Sequence, residues 1–442
     1  MTQSSSAVPW PNPRVAWYGL GILLTSFLVS SVDRVILGML VIPIKEDLGV
    51  SDSAMGVLLG ISFAVSFTLM GLVAGWLSDR YSRRRIISIA ITFWSLATVA
   101  CGFAGSFMHL LVSRISVAAG ESALSPAAFS MISDYFPPKK LGRALGVYMS
   151  GAFFGAGISF LVGGAVLSLM GQIGPIELPF IGIVKVWQVV FFIVGLPGLI
   201  VAALATTMKE PVRRGVSQAS ASNAAVFSFM KNHVRLYICH LIGFSLLASI
   251  IVNTLTWSPT LFVRVHEFSF AEAGTKLGLV LLFLSPGGVY AGGWLVDVVK
   301  KSGRQDAPLL VGILAALTSL PFGIAANLVS DPNLAIALYC PLVFFACLAV
   351  ACGPTAIQLV TPNEFRGQIS AGYLMTINIV TSIFGATGVG IATDYIFRSE
   401  QAVGSSMALM CAICAPISAS LLWYCRRPFR ARVDRLAAIE AE

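Results

Sequence analysis

Apolar stretches of membrane-spanning length recur along the whole chain. They fall at about 13–42, 53–77, 86–105, 107–135, 140–170 and 185–208, then at about 232–263, 271–299, 308–328, 332–360, 364–396 and 403–425. A helix crosses the hydrocarbon with about 20 apolar residues, and only backbones that satisfy their own polar groups survive there. Twelve such runs predict an all-α polytopic membrane protein with twelve transmembrane helices. Composition agrees, since 57% of the 442 residues are hydrophobic and 11% are charged, against about a quarter charged in soluble domains. Runs longer than about 20 residues imply tilt or extension past the bilayer.

The net charge of +9 would suit a nucleic-acid binder if the cations formed a patch, but they sit in short loops. With the N-terminus inside, one side holds Arg14, Arg80, Arg83–Arg85, Lys139, Lys140, Arg143, Lys209, Arg213, Arg214, Lys231, Arg235, Lys300, Lys301, Arg304, Arg366 and the cluster Arg426–Arg435. The other side holds only Lys45, Lys185, Arg264, Lys276 and Arg398. Such a bias sets topology, so both termini are expected in the cytoplasm and no nucleic-acid partner is implied. The polar, Pro-containing first 14 residues show no cleavable leader pattern.

All eight cysteines lie in or beside apolar runs and read as small buried hydrophobes. Cys411 and Cys414 form a lone CxxC within a span, without the second pair or βαβ context of a metal or redox site. The four histidines show no metal-ligand spacing, and no P-loop GxxxxGK[ST] is present. No metal, cofactor or ATP drive is expected. No nucleophile and base share a common depth, so an enzyme is not expected either.

A basic, Ser- and Ala-rich interruption at 209–230 divides six spans from six, giving halves 1–208 and 231–442 with a cytoplasmic linker between them. A short pattern recurs across that divide. Gly75-Trp76-Leu77-Ser78-Asp79 is matched by Gly293-Trp294-Leu295-Val296-Asp297, and Pro126-Ala127-Ala128 is echoed by Pro354-Thr355-Ala356. Parallel six-span repeats are an established carrier plan, with the substrate site at the midplane between halves.

Gly75 to Asp79, followed by Arg80-Tyr81-Ser82-Arg83-Arg84-Arg85, closely resembles the G-x-L-x-D-R-x-G-R-R-x signature of the major facilitator superfamily. Ser82 stands where that family usually has Gly. Gly75 permits close helix approach, and Asp79 suits the positive N-terminus of a facing helix, with Arg80 or Arg83 neutralising it. The resemblance implies a cytoplasmic latch between the second and eleventh spans, formed when the cavity opens outward. Gly293, Asp297 and Arg304 would be its counterpart in the second half. The arginines could instead serve topology alone, but an acid in a cytoplasmic loop has no topogenic value.

Ser30-Ser31-Val32-Asp33-Arg34, the fourth-span Arg114 with Gly120-Glu121-Ser122, and Ser133-Asp134-Tyr135-Phe136-Pro137 resemble the Spinster family. Its animal members move sphingosine phosphate or lysophospholipids.

Asp33, Arg34, Arg114 and Glu121 are ionisable residues inside predicted spans. Each would cost roughly 2.5–3.5 kcal/mol facing lipid, so they should face water or each other. Helical rise sets Asp33 and Arg114 at similar height and Glu121 nearer the middle. This predicts that Asp33 and Arg114 pair, while Glu121 is the more desolvated carboxyl and switches its partner or its proton. Desolvation raises a carboxyl pKa and a nearby Arg lowers it, so a movement changing that proximity moves protons. Asp33 and Glu121 are therefore the proton-coupling candidates, and Arg34 and Arg114 their charge partners or readers of an anionic head group. Anion recognition without coupling, or a purely structural charge lattice, would use the same residues.

Tyr148, Asn253, Trp257, Thr376 and Asn378 are the cavity candidates, being polar or aromatic where an even apolar span is expected. Polar groups in spans also glue helices together. The function implied is a proton-coupled secondary transporter of an amphipathic, lipid-like substrate, its anionic head meeting the arginines and its tail the Phe-rich walls (28 Phe). A carrier of small organic anions or drugs, or a non-transporting receptor, are the alternatives. A monomer in the bacterial inner membrane is expected, with the proton as coupling ion.

Overall fold

A computed structural model describes residues 10–174, 176–178, 182–213, 223–362 and 365–441. It contains 12 helices long and apolar enough to cross a membrane. The first six are Pro13–Met39, Asp52–Arg80, Arg83–Cys101, Phe107–Tyr135, Lys139–Ile173 and Val186–Thr206. The second six are Val234–Arg264, Phe270–Lys301, Ala307–Leu328, Pro332–Val360, Arg366–Phe397 and Glu400–Leu436. Their number being even, the start of the first span and the end of the twelfth lie on one side.

The spans agree with the apolar runs except at the last, whose helix continues from Val403 to Ala441. Beyond Cys425 the sequence is rich in Arg and Ala, good helix formers that need no apolar face to remain helical. Part of the linker, 214–222, lies outside the described residues, and its last stretch is already the helix Asn223–Asn232. Among the described residues the only sheet is a small antiparallel pair, Ile176–Leu178 with Gly182–Val184, that joins the fifth and sixth spans.

Prolines break equivalent spans in the two halves. The fourth span is two helices, Phe107–Glu121 and Leu124–Tyr135, because Pro126 cannot donate to the carbonyl four residues back and crowds it. The tenth span divides likewise into Pro332–Cys347 and Cys352–Val360, with Pro354 in the matching place. The weaker sequence echo between halves therefore corresponds to a shared structural break, and in the first half it falls beside Glu121.

The halves meet where the fifth span crosses the eighth. There a Cβ on Gly164 would fall 2.5 Å from the Phe270 carbonyl oxygen, and one on Gly157 3.0 Å from the Gly278 carbonyl oxygen. Small residues on both helices let the backbones touch. Gly151 and Gly155 lie against Leu24, Leu28 and Ser31 of the first span, so the Gly-rich stretch of the fifth span packs on two neighbours at once.

Candidate transport site

The buried charges cluster inside the first half. Asp33 and Arg34 are adjacent on the first span, so their side chains diverge by about 100° around the helix. Asp33 is fully buried and turns to the third span, where the Thr98 hydroxyl donates to its Oδ2 at 2.8 Å. Arg34 turns to the second and fourth spans. Its Nη2 lies 2.8 Å from Glu121 Oε2, with the Arg34 side chain 40% exposed and that of Glu121 fully buried. The same guanidinium lies 4.9 Å from the Phe63 ring and 5.0 Å from the Phe67 ring.

This arrangement corrects the expected pairing. Arg114 does lie at the depth of Asp33, but its Nη1 donates to the Asp33 main-chain carbonyl at 3.2 Å, because the carboxyl is turned toward Thr98. The ion pair is instead Arg34–Glu121. Arg114 is buried, so of the two arginines Arg34 alone presents a guanidinium. One oxygen of each carboxyl, Asp33 Oδ1 and Glu121 Oε1, has no hydrogen-bond partner.

The cavity candidates divide. Tyr148 is fully buried between Phe27, at 4.8 Å between ring centroids, and Phe129, at 5.5 Å. Asn253 donates to the Met407 carbonyl at 3.0 Å and Trp257 to the Ala386 carbonyl at 2.9 Å, binding the seventh span to the twelfth and eleventh. These three pack helices together in this state and do not face an open path. Thr376 bonds its own helix at the Gly372 carbonyl, 2.8 Å away, and both Thr376 and Asn378 are half-buried on the eleventh span.

At the terminal end the signature residues do not form the expected latch. A Cβ on Gly75 or on Gly293 would meet nothing within 4 Å. Among the described residues the Asp79 carboxylate has no hydrogen bond or ion pair, its main-chain carbonyl accepts from Arg213, and neither Asp79 nor Asp297 pairs with Arg80, Arg83 or Arg304. Arg80 lies 4.3 Å from the Trp76 ring. Arg83 is fully buried and ties the first half to the start of the linker: it binds Ser130 Oγ at 2.9 Å and Asp134 in the fourth span, and Glu210 Oε1 at 3.0 Å and the Pro211 carbonyl at 2.9 Å in the linker. Ser82, the departure from the signature, donates to Glu210 Oε2 at 2.8 Å and caps the third span. Burial opposes the charge on Glu210, but the bonds from Arg84 N–H, Ser82 and Arg83 outweigh it and hold the carboxyl below its ordinary range.

The opposite end is sealed by contacts between the halves. Asp52, fully buried at the start of the second span, accepts Lys45 at 2.7 Å and two bonds from Arg264 of the seventh span, at 2.8 and 3.1 Å. Glu400 flanks the same cations, 3.1 Å from Lys45. Ser53 N–H donates to Asp394 Oδ2 at 2.6 Å, and Gly390 packs on the Asp52 backbone with no room for a Cβ. Sequence reasoning passed over this gate. Its signal was present, because Lys45 and Arg264 are cations on the side where the charge bias leaves few, and each is matched by a carboxylate. Lys185, another exception, pairs with Asp47.

The arrangement is thus closed at one end, unlatched at the other, and charged between. Residues 22–386 match the Major Facilitator Superfamily. The chain belongs to that superfamily. As a superfamily member it is a transporter, not an enzyme, and it sits in the membrane through its 12 apolar helices. It is 26% identical over 435 residues to an MFS-type efflux pump of Mycolicibacterium smegmatis, covering 95% of this chain and 94% of that one. A hexuronate transporter of Bacillus subtilis is 27% identical, covering 88% and 94%. Among solved structures, a bacterial homolog of the human lysosomal transporter Spinster, in an inward-facing and unoccupied conformation, superposes with a TM-score of 0.76 at 23% identity, over 96% of this chain and 98% of that one. At that identity the likeness is one of fold, and it agrees with the Spinster resemblance read from the first and fourth spans.

Proposed function

We propose that this superfamily member is a proton-coupled secondary transporter of an amphipathic anion, of the lysophospholipid or sphingosine phosphate type, working as a monomer in a bacterial inner membrane with both termini cytoplasmic. The observation that carries the reading is the uneven exposure of the Arg34–Glu121 pair. An anion entering from the open end meets the exposed guanidinium of Arg34 and competes with Glu121 for it. A carboxylate losing its only cation inside a low-dielectric site takes up a proton. Substrate binding and protonation are then linked through one guanidinium. Rocking of the halves, which breaks the Asp52–Arg264 gate and closes the Asp79 latch, would present the loaded site to the other side. Asp33, with one free oxygen beside Arg114, is the second proton candidate. Phe63 and Phe67, already stacked around Arg34, supply apolar surface for a substrate tail.

A small organic acid is the second reading, favoured by the hexuronate-transporter relative; the same guanidinium would read its carboxylate. Reconstituted protein in liposomes bearing a pH gradient tests both, with labelled lysophosphatidylglycerol or glucuronate on one side and an internal pH dye. Wild-type protein should move substrate and protons together, and Glu121→Gln should lose coupled flux by at least about tenfold while still binding substrate. Undiminished proton-driven flux in Glu121→Gln would remove the residue from the mechanism.

A further inference from the structure

A guanidinium-lined cavity opens at the terminal end of the second half, apart from both the transport site and the gate. Its volume is about 380 Å³, and its walls are Arg235 at the start of the seventh span and Trp423, Tyr424, Arg426, Arg427 and Arg430 on the twelfth. Two of these cations are already matched. Arg426 and Arg430 both donate to Asp306 Oδ2, at 2.6 and 2.8 Å. Burial opposes the charge on Asp306, yet the bonds from these two arginines hold its carboxyl below the ordinary range.

The other two cations have no such match. Arg235 lies 3.5 Å from the Tyr424 ring centroid, an attraction that leaves its N–H groups free to bind oxygen. Arg427 forms no hydrogen bond or ion pair among the described residues. Four guanidinium groups around one cavity, with a single carboxylate among them, leave a positive excess that an anion would relieve. The rings of Trp423 and Tyr424, 62% and 54% exposed, stand at the polar end of a span. Such amphipathic rings lie at the headgroup level of a bilayer.

We propose that this cavity binds the phosphate of an anionic phospholipid. Arg235 and Arg427 take the phosphodiester oxygens, for which the planar guanidinium fork is matched, and Trp423 and Tyr424 lie along the glycerol and upper acyl chain. Basic pockets between spans on the cytoplasmic side are suited to such head groups. A lipid seated there bridges the seventh and twelfth spans beside the Asp306 clamp, and so braces the second half where no substrate passes.

The test titrates phosphatidylglycerol, phosphatidylcholine and inorganic phosphate against the full-length protein, with bound lipid counted by native mass spectrometry. The comparison is the double variant Arg235→Gln/Arg427→Gln, which leaves the Asp306 clamp untouched. Its unfolding midpoint in lipid-free detergent is checked against wild type. Wild-type protein should retain phosphatidylglycerol over phosphatidylcholine, and the double variant should bind it about tenfold more weakly. Lys139→Gln/Lys140→Gln, at the start of the fifth span in the first half, should leave binding unchanged. Equal retention of phosphatidylglycerol by wild type and double variant would overturn the proposal. So would its full displacement by inorganic phosphate, which would mark a site for a soluble anion.

Discussion

Glu121 and Asp33 are both buried carboxyls, yet each has a different neighbour: a half-exposed guanidinium for Glu121 and a hydroxyl for Asp33. Ionisable residues are rare in apolar runs, which is why the sequence alone singles out Asp33, Arg34, Arg114 and Glu121. Which of them meet depends on the rotation of each helix about its axis and on the turn of Asp33 toward Thr98, neither of which helical rise along one chain reveals. Arg83 illustrates the same limit. Its signature position suggests that it neutralises Asp79, whereas its partners are Asp134 of its own half and Glu210 of the linker. Glu210 supports a prediction at this scale. Its folded pKa is lowered from the ordinary 4.5, so its contribution to stability is present in full above about that pH and fades as the pH falls through the lower folded value. Thermal unfolding midpoints followed from about pH 6 down to about pH 3 should fall less steeply for Glu210→Gln than for wild type. Identical slopes would show that the bonds from Ser82, Arg83 and Arg84 do not select the charged form.

All but the last helix are legible to within about four residues because each span is a long apolar run closed by charge or proline, and Pro126 and Pro354 even mark the breaks. Contacts between spans were less so. The gate was read as loop charge, since Lys45 and Asp52 lie at the ends of spans and Arg264 far along the chain. In the folded protein Asp52, itself out of contact with solvent, holds both cations. Removing the acid's charge leaves Lys45 and Arg264 with only the exposed Glu400 to offset them, which weakens the closed gate and should shift the population toward the state open at that end. In Asp52→Asn, spin labels placed at the gate ends of the second and eleventh spans should show a longer-distance population that is minor in wild type. An unchanged distance distribution would mean that glycine packing, with Gly390 against Asp52 and Gly56 against Thr387, keeps the gate closed unaided.

The whole molecule has the form of a carrier caught in one of two states. Its gate is formed, and among the described residues its signature motif makes no hydrogen bond or ion pair across the halves. An unlatched Asp79 is consistent with a motif whose contacts belong to the other state, so its substitution should act on cycling and spare the fold. Asp79→Asn is accordingly expected to keep the wild-type unfolding midpoint and substrate affinity while slowing flux several-fold in proteoliposomes. A large loss of stability would instead assign Asp79 to this state. In the coupling proposed above, an anion that takes Arg34 from Glu121 obliges Glu121 to take a proton, so proton uptake on binding is the measurement to make. Calorimetric titration of the purified protein with the substrate it transports, repeated in buffers of different ionisation enthalpy, counts the protons bound. Wild-type protein should take up as many as about one proton per substrate, depending on pH, and Glu121→Gln essentially none. Binding heats independent of buffer in the wild type, across the pH range of transport, would contradict it.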